Sequence, residues 1–268
     1  MSFLTVLVLI AFSNSLLGVL VLSRNYFNRT NRAFFLLIIF TNSWIICNYL
    51  AEYGGADLIL WNRLTFTSVI LLSATFSYFA YIFGRDLSSL SIIQKQFFIT
   101  IPLVAVVLSV KSFIVAGLET RGESVDLIYG PGYSLFVLYF SIYIITGFYL
   151  LFKRFIHTEG VIHEQLKYLF AGMLTSIVFG VTTNLLYPIL TGSHDLSKYG
   201  PFGVTFLIGS TTYAIVRHRL LDVRLAVRAG IYRLLLVIVF LFITTILISV
   251  ATDFNLVSQN PSFPIITA

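Results

Sequence analysis

Residues 213–233, YAIVRHRLLDVRLAVRAGIYR, place Arg217, Arg219, Arg224, Arg228 and Arg233 directly behind an almost uncharged apolar run, in a chain with only 17 Lys and Arg among 268 residues. Such an edge is a boundary between two solvents. Of all residues 58% are hydrophobic and 10% are charged, whereas soluble domains carry about 25% charged residues. The composition is that of an integral membrane protein, and its length is counted in bilayer crossings of about 20 residues.

Outward from this edge, apolar runs long enough to span fall at Phe3–Ser23, Ala33–Tyr53, Leu58–Gly84, Phe97–Val115, Ser134–Phe152, Tyr168–Leu190, Pro201–Val216 and Ile231–Thr252. In hydrocarbon every backbone polar group must be paired within the segment, which unbroken runs of this length achieve as helices. The expected fold is all-α, a polytopic transmembrane helical bundle of seven helices plus an eighth crossing. Its divisions are a seven-helix bundle at 1–216, a basic amphipathic juxtamembrane segment at 217–230, an eighth transmembrane helix at 231–252 and a tail at 253–268.

The first run has no basic residue ahead of it and Arg24 behind it, the reverse of a signal peptide, and is read as a retained helix with its N-terminus outside. With that orientation 13 of the 17 basic residues fall on the cytosolic side, the external side receiving Arg63, Lys111, Arg121 and Lys198. The positive-inside rule favours this arrangement. The net charge of +6 is thus topological, and nucleic acid is excluded as a partner. The tail, with Pro261 and Pro264, is expected to lie outside and to be the point where a longer chain has been cut.

Two reasons account for the arginine cluster. Arg217 and Arg219 mark the cytosolic exit of the seventh run. Beyond it, Leu220, Val223, Val227, Ile231 and Leu234 fall on one helical stripe while Arg217, Arg224 and Arg228 align on another face, an amphipathic pattern. The arginines would meet anionic membrane lipids, at about 1 kcal/mol each, or act as a lever that carries movement of the seventh helix onward.

Motifs for chemistry are scarce. The single cysteine, Cys47, excludes intrachain disulfides and cysteine-built metal sites. Run seven has no lysine for a Schiff base. His157, Glu159, His163 and Glu164 lack the spacing of a metal site, and read as a solvated loop. Gly130–Tyr133 and Gly200–Gly203 are turns without the lysine of a phosphate loop. No catalytic residue, metal or cofactor is expected. The span centres hold Asn14, Asn42 and Asn48 but no central acid or base, so a transporter or permease subunit, the competing class, lacks an ion relay.

Polar and aromatic residues gather instead at the external helix ends: Asn48, Glu52 and Tyr53 on the second helix, Trp61, Asn62 and Arg63 on the third, Asn184 and Tyr187 on the sixth. This cluster is a candidate site for a small amphipathic ligand or lipid, with Arg63 or Glu52 holding its charged end. Interfacial aromatic anchoring, and a Glu52–Arg63 pair, explain the same residues without a ligand. Trp44 reads as packing. The loop 116–133 reads as a structured turn ahead of helix five. Ala171, Thr175, Ser210 and Ala214 are expected to let helices six and seven approach closely, with a homodimer as the other use of such small residues.

The runs YAIVRHRLLDVR after helix seven, WNRLTFTSVILLSATFSYFAYIF in helix three and HEQLKYLFAGMLTSIVFGVTTNLLYP through helix six resemble the N-terminal seven-transmembrane sensor region of bacterial histidine kinases. Tyr213, Arg217, Arg219, Leu220 and Asp222 carry the most specific part of the resemblance. It implies a multi-pass protein of the bacterial cytoplasmic membrane, acting as the sensory input module of a signal-transduction receptor. The stimulus, external or within the membrane, would be coupled through Tyr213, Arg217, Arg219, Asp222, Arg224 and Arg228 to a cytosolic kinase region, in cis or in trans. No phosphoacceptor or ATP-binding motif occurs up to Ala268, so kinase activity is not expected of these residues.

Overall fold

A computed structural model of the chain describes residues 3–53, 57–83, 90–121, 124–192 and 196–218. These contain α1 (Phe3–Arg24), α2 (Arg29–Tyr53), α3 (Leu58–Ile82), α4 (Ile92–Val110), the strands β1 (Val115–Arg121) and β2 (Ser124–Tyr129), α5 (Tyr133–Ile156), α6 (160–191) and α7 (Val204–His218), the last preceded by a 3₁₀ turn, Ser197–Gly203. Helices α1 to α6 are long and apolar enough to cross a membrane. The fold is the expected all-α polytopic bundle. They belong to a compact unit, 1–224; the eighth run, most of the 217–230 segment and the tail lie outside the described residues.

Local chemistry sets the helix boundaries. The Asn28 carboxamide oxygen accepts from the amides of Thr30 (2.8 Å) and Asn31 (3.3 Å), capping the start of α2. Asn31, itself buried, donates to the carbonyls of Val21 (3.1 Å) and Asn25 (3.3 Å), so one side chain closes the α1–α2 turn. Ser91 and Gln94 form a reciprocal capping box that starts α4 at Ile92, ahead of the expected Phe97. Its end also differs from the expectation. Lys111 turns extended, and Val115 enters β1 rather than ending a helix.

Two helices widen to π geometry, at Gln96–Thr100 in α4 and at Thr182–Leu186 in α6. Each widened turn lies just ahead of a proline, Pro102 or Pro188. A proline ring clashes with the carbonyl four residues back, here Phe98 and Asn184. Adding a residue to that turn moves the carbonyl aside without breaking a helix in hydrocarbon.

The loop between α4 and α5 is an antiparallel hairpin, with Leu118 opposite Leu127 and an irregularity at Val115/Gly117. The Gly130 amide donates to the Ile114 carbonyl and that of Gly132 to the Phe113 carbonyl, both at 2.8 Å. A side chain on Gly132 would run into the Phe113 ring.

Helix α3 is the centre of the polar ties. Its Ser68 meets Ser43 of α2 (3.0 Å), its Thr67 meets Ser109 of α4 (2.8 Å), and its Ser77 donates to the Tyr143 carbonyl of α5. Asn14 of α1 donates to Asn42 of α2 (2.8 Å), and Asn42 donates in turn to Ser15 (2.7 Å) and the Ala11 carbonyl (3.1 Å). Lipid tails are as apolar as leucine, so such bonds and close packing hold the helices together. Outward faces are apolar, as with Leu103, Val104 and Val107 of α4.

The close approach of α6 and α7 is made by Ser210 and Ala214 of α7, as expected, but on α6 by Gly172 instead of Ala171 and Thr175. Gly172 faces Ser210, leaving no room for a Cβ, and Ala214 is fully buried. Ala171 and Thr175 are exposed: the seam lies one residue, about 100°, around the helix.

Gly172→Val is expected to destabilise the bundle by about 1–3 kcal/mol through overpacking, while Gly209→Val, whose Cβ meets nothing within 4 Å, leaves stability unchanged; unfolding in mixed micelles compares them. By the same assay Asn42→Leu costs about 1–2 kcal/mol, and adding Asn14→Leu recovers part of that loss by removing the stranded partner.

Candidate functional site

A cavity of about 450 Å³ opens among α2, α3, α5, α6 and α7 beneath the hairpin. Its volume is within the usual range of ligand pockets. The polar lining lies at the hairpin end, from Asn48 and Glu52 on α2, Asn62 on α3, Asn184 on α6 and Ser197 of the 3₁₀ turn. Toward the opposite end the walls become apolar: Leu37, Leu72, Phe76, Ile144 and Met173. Leu118 and Leu127 of the hairpin also line it.

The polar groups are held by their own local structure. The Asn48 amide donates to the Ser197 carbonyl (3.1 Å), joining α2 to the turn before α7 across 149 residues of sequence. Asn184 sits within the π turn that Pro188 imposes; its amide donates to the Gly180 carbonyl (3.2 Å) and the Thr183 hydroxyl (2.8 Å). Gly200 packs directly on that amide, where no Cβ fits. Glu52 lies 3.9 Å from the Lys198 ammonium, both about one-third exposed; an ion pair so placed is worth about 0.2–1 kcal/mol. Tyr129 of β2 lines the cavity and stacks on Tyr133 with centroids 3.9 Å apart. Burial foremost, then the neighbouring Tyr133, push the Tyr129 phenol up from its ordinary range, so it serves as a neutral hydrogen-bonding group.

The expected ligand cluster thus divides. Asn48, Glu52 and Asn184 come together at the cavity with Asn62, whereas Trp61, Arg63 and Tyr187 are not among its lining residues. The Arg63 guanidinium, expected to hold a ligand's charge or to pair with Glu52, donates through Nε to the Val115 carbonyl (3.3 Å) and ties α3 to β1. One residue separates it from Asn62, enough to turn it to another face. Trp44, read from the sequence as packing, does pack against Leu7, Ile10 and Val204, and also lines the cavity. Ser197 and Tyr129 escaped sequence reasoning because loops and turns carry no periodicity.

The expected histidine loop is shorter than the sequence suggested: His163 and Glu164 lie in α6, and His157, just past α5, donates from Nδ1 to the Lys153 carbonyl (2.7 Å). His163 stacks on Phe155 (4.1 Å), and its Nδ1 donates to the Phe155 (3.1 Å) and Thr158 (3.0 Å) carbonyls, closing the α5–α6 turn. Among the described residues no cluster of three metal-ligating side chains occurs. Of the expected coupling residues, Tyr213 lies on α7 against Tyr168 (4.6 Å), and Arg217 is in its last turn. Arg219, Asp222, Arg224 and Arg228 lie outside the described residues.

Removing the Arg63 tie should loosen the hairpin: Arg63→Met is expected to speed amide exchange at Gly130 and Gly117 about tenfold, the loss of one charge-assisted bond, as measured by hydrogen–deuterium exchange in nanodiscs.

A family model for the N-terminal 7TM region of histidine kinase matches residues 6–224. No curated protein and no solved structure matches the chain. The match runs through all seven described helices, and the chain belongs to the family of histidine kinase N-terminal 7TM regions, membrane-embedded sensory input domains.

Proposed function

We propose that the cavity is the input site of this sensory module: a small amphipathic molecule or lipid bound there shifts α7, and α7 passes the shift to a cytosolic effector, a kinase region in cis or in trans. The observation that carries this reading is a shared wall. Val204 and Leu207 line the cavity, and the same helix continues without a break to Tyr213 and Arg217. A change in the cavity's contents therefore acts on a helix whose last described turn carries Arg217, the first of the clustered arginines.

The seam with α6 supports the reading. Gly172 against Ser210 and Tyr168 against Tyr213 make α6 and α7 a closely packed pair, suited to move as one body. A ligand shifts the pair only by its difference in affinity between two packings, and about 1.4 kcal/mol changes their ratio tenfold. The orientation that fits the 13-to-4 division of basic residues puts the N-terminus and the hairpin outside a bacterial cytoplasmic membrane. Asp222 and the arginines Arg217, Arg219, Arg224 and Arg228 then lie at the cytosolic surface, beside anionic lipids, and a homodimer would bring two such segments together.

The test is reversal of charge at Arg217, Arg224 and Arg228 together in the chain joined to a kinase reporter. The expected result is loss of regulated output with cavity binding unchanged. Unaltered regulation would sink the lever, and flux of a labelled solute through proteoliposomes containing the chain alone would favour the transporter instead.

A further inference from the structure

The cavity has a direction as well as a volume. From Asn62 to Phe76 on α3, and from Asn48 to Leu37 on α2, its lining spans 14 and 11 residues, or about 16–21 Å of helix at 1.5 Å per residue. At about 450 Å³ the cavity lies in the lower half of the usual range of ligand pockets, about 300–1,000 Å³, room for one small ligand. A long space of that volume suits one extended alkyl chain. The cavity runs among α2, α3, α5, α6 and α7; the ring contacts between α5 and α6, Phe148–Phe170 (5.4 Å) and Phe152–Phe170 (6.2 Å), involve none of its lining residues.

Charge narrows the occupant further. Three carboxamides, Asn48, Asn62 and Asn184, line the polar end; both Asn184 N–H groups and one each of Asn48 and Asn62 are already given to the protein, which leaves acceptor oxygens on all three and one N–H each on Asn48 and Asn62. The carboxylate there, Glu52, lies beside Lys198, whose ammonium also sits 5.6 Å from the centre of the Tyr199 ring. A ligand anion would stand against Glu52, and a ligand cation would compete with Lys198. With the pair in place the two charges at this end balance, and neither sign of ligand charge gains a net attraction. An uncharged head that both donates and accepts matches the amides without disturbing the pair.

Building on the cavity as input site, we propose that its ligand is a single-chain, uncharged amphiphile, with a small hydroxyl- or amide-bearing head among Asn48, Asn62 and Asn184 and one hydrocarbon tail lying past Trp44 toward Phe76. The class includes monoacylglycerols and long-chain alcohols.

Two tryptophans, Trp44 and Trp61, occur in the chain, and only Trp44 lines the cavity. In the full chain carrying Trp61→Phe, reconstituted in phosphatidylcholine nanodiscs, a long-chain 1-monoacylglycerol brominated along its tail should quench Trp44 saturably. The matching fatty carboxylate and the alkyl trimethylammonium should bind at least about tenfold more weakly. Ser176→Leu, which puts bulk into the cavity, should abolish saturation while the α-helical spectrum is retained. Glu52→Gln, which leaves Lys198 without its carboxylate, should narrow the gap between carboxylate and glyceride. Equal affinity for the charged probes, stronger quenching by a brominated two-chain phospholipid, or no saturable quenching by the glyceride would each overturn the proposal. The same probes are then applied to the kinase reporter. Saturable binding without altered output leaves the ligand class standing and removes the input-site reading; output that answers a charged probe while the glyceride fails to bind does the reverse.

Discussion

A peptide group in hydrocarbon has no water to turn to, and this constraint orders the rest of the protein. It makes the spans helical, and it dictates what happens where a residue cannot serve a helix. Pro102 and Pro188 withhold an N–H and crowd a carbonyl, and both helices respond by widening into π turns just ahead of them. In α6 the widened turn contains Asn184, whose amide stays paired to Gly180 and Thr183 while the residue lines the cavity. The polar site is thus partly a by-product of satisfying a backbone around a proline.

The same constraint explains how the helices adhere. Burying apolar surface against protein gains little when lipid offers equal surroundings, so the bundle relies on hydroxyls and carboxamides that find one another and on glycines that admit a neighbour. Helix α3 meets α2, α4 and α5 through Ser68, Thr67 and Ser77. Gly172 lets Ser210 approach α6. Such packing leaves gaps where large aromatic and branched chains line facing helices, and the principal cavity lies in that position, beside Phe66, Phe76, Phe136 and Phe140.

Much of the site was legible as a neighbourhood and little of it as an arrangement. Asn48, Glu52 and Asn184 could be placed together because antiparallel spans bring the ends of helices two and six to one side. Arg63 could not be told from Asn62 by such reasoning: both open helix three, and a rotation of about 100° sends one to the cavity and the other to a strand carbonyl. The small residues of α6 erred by the same single step, Ala171 and Thr175 facing outward while Gly172 meets α7. In a span that is apolar on every side, periodicity is too weak to assign faces.

By itself the sequence determined the solvent, the helical kind of the spans, and the asymmetry of basic residues, because these depend on composition summed over about 20 positions. It also announced a structured turn at 116–133 through its glycines and Pro131. Only the tertiary structure decided which face of each helix looks inward, that Asn48 reaches Ser197, and that a cavity lies among α2, α3, α5, α6 and α7. Those depend on helix rotation and on contacts between residues more than a hundred positions apart, and a rotation of one residue changes them all while leaving composition untouched.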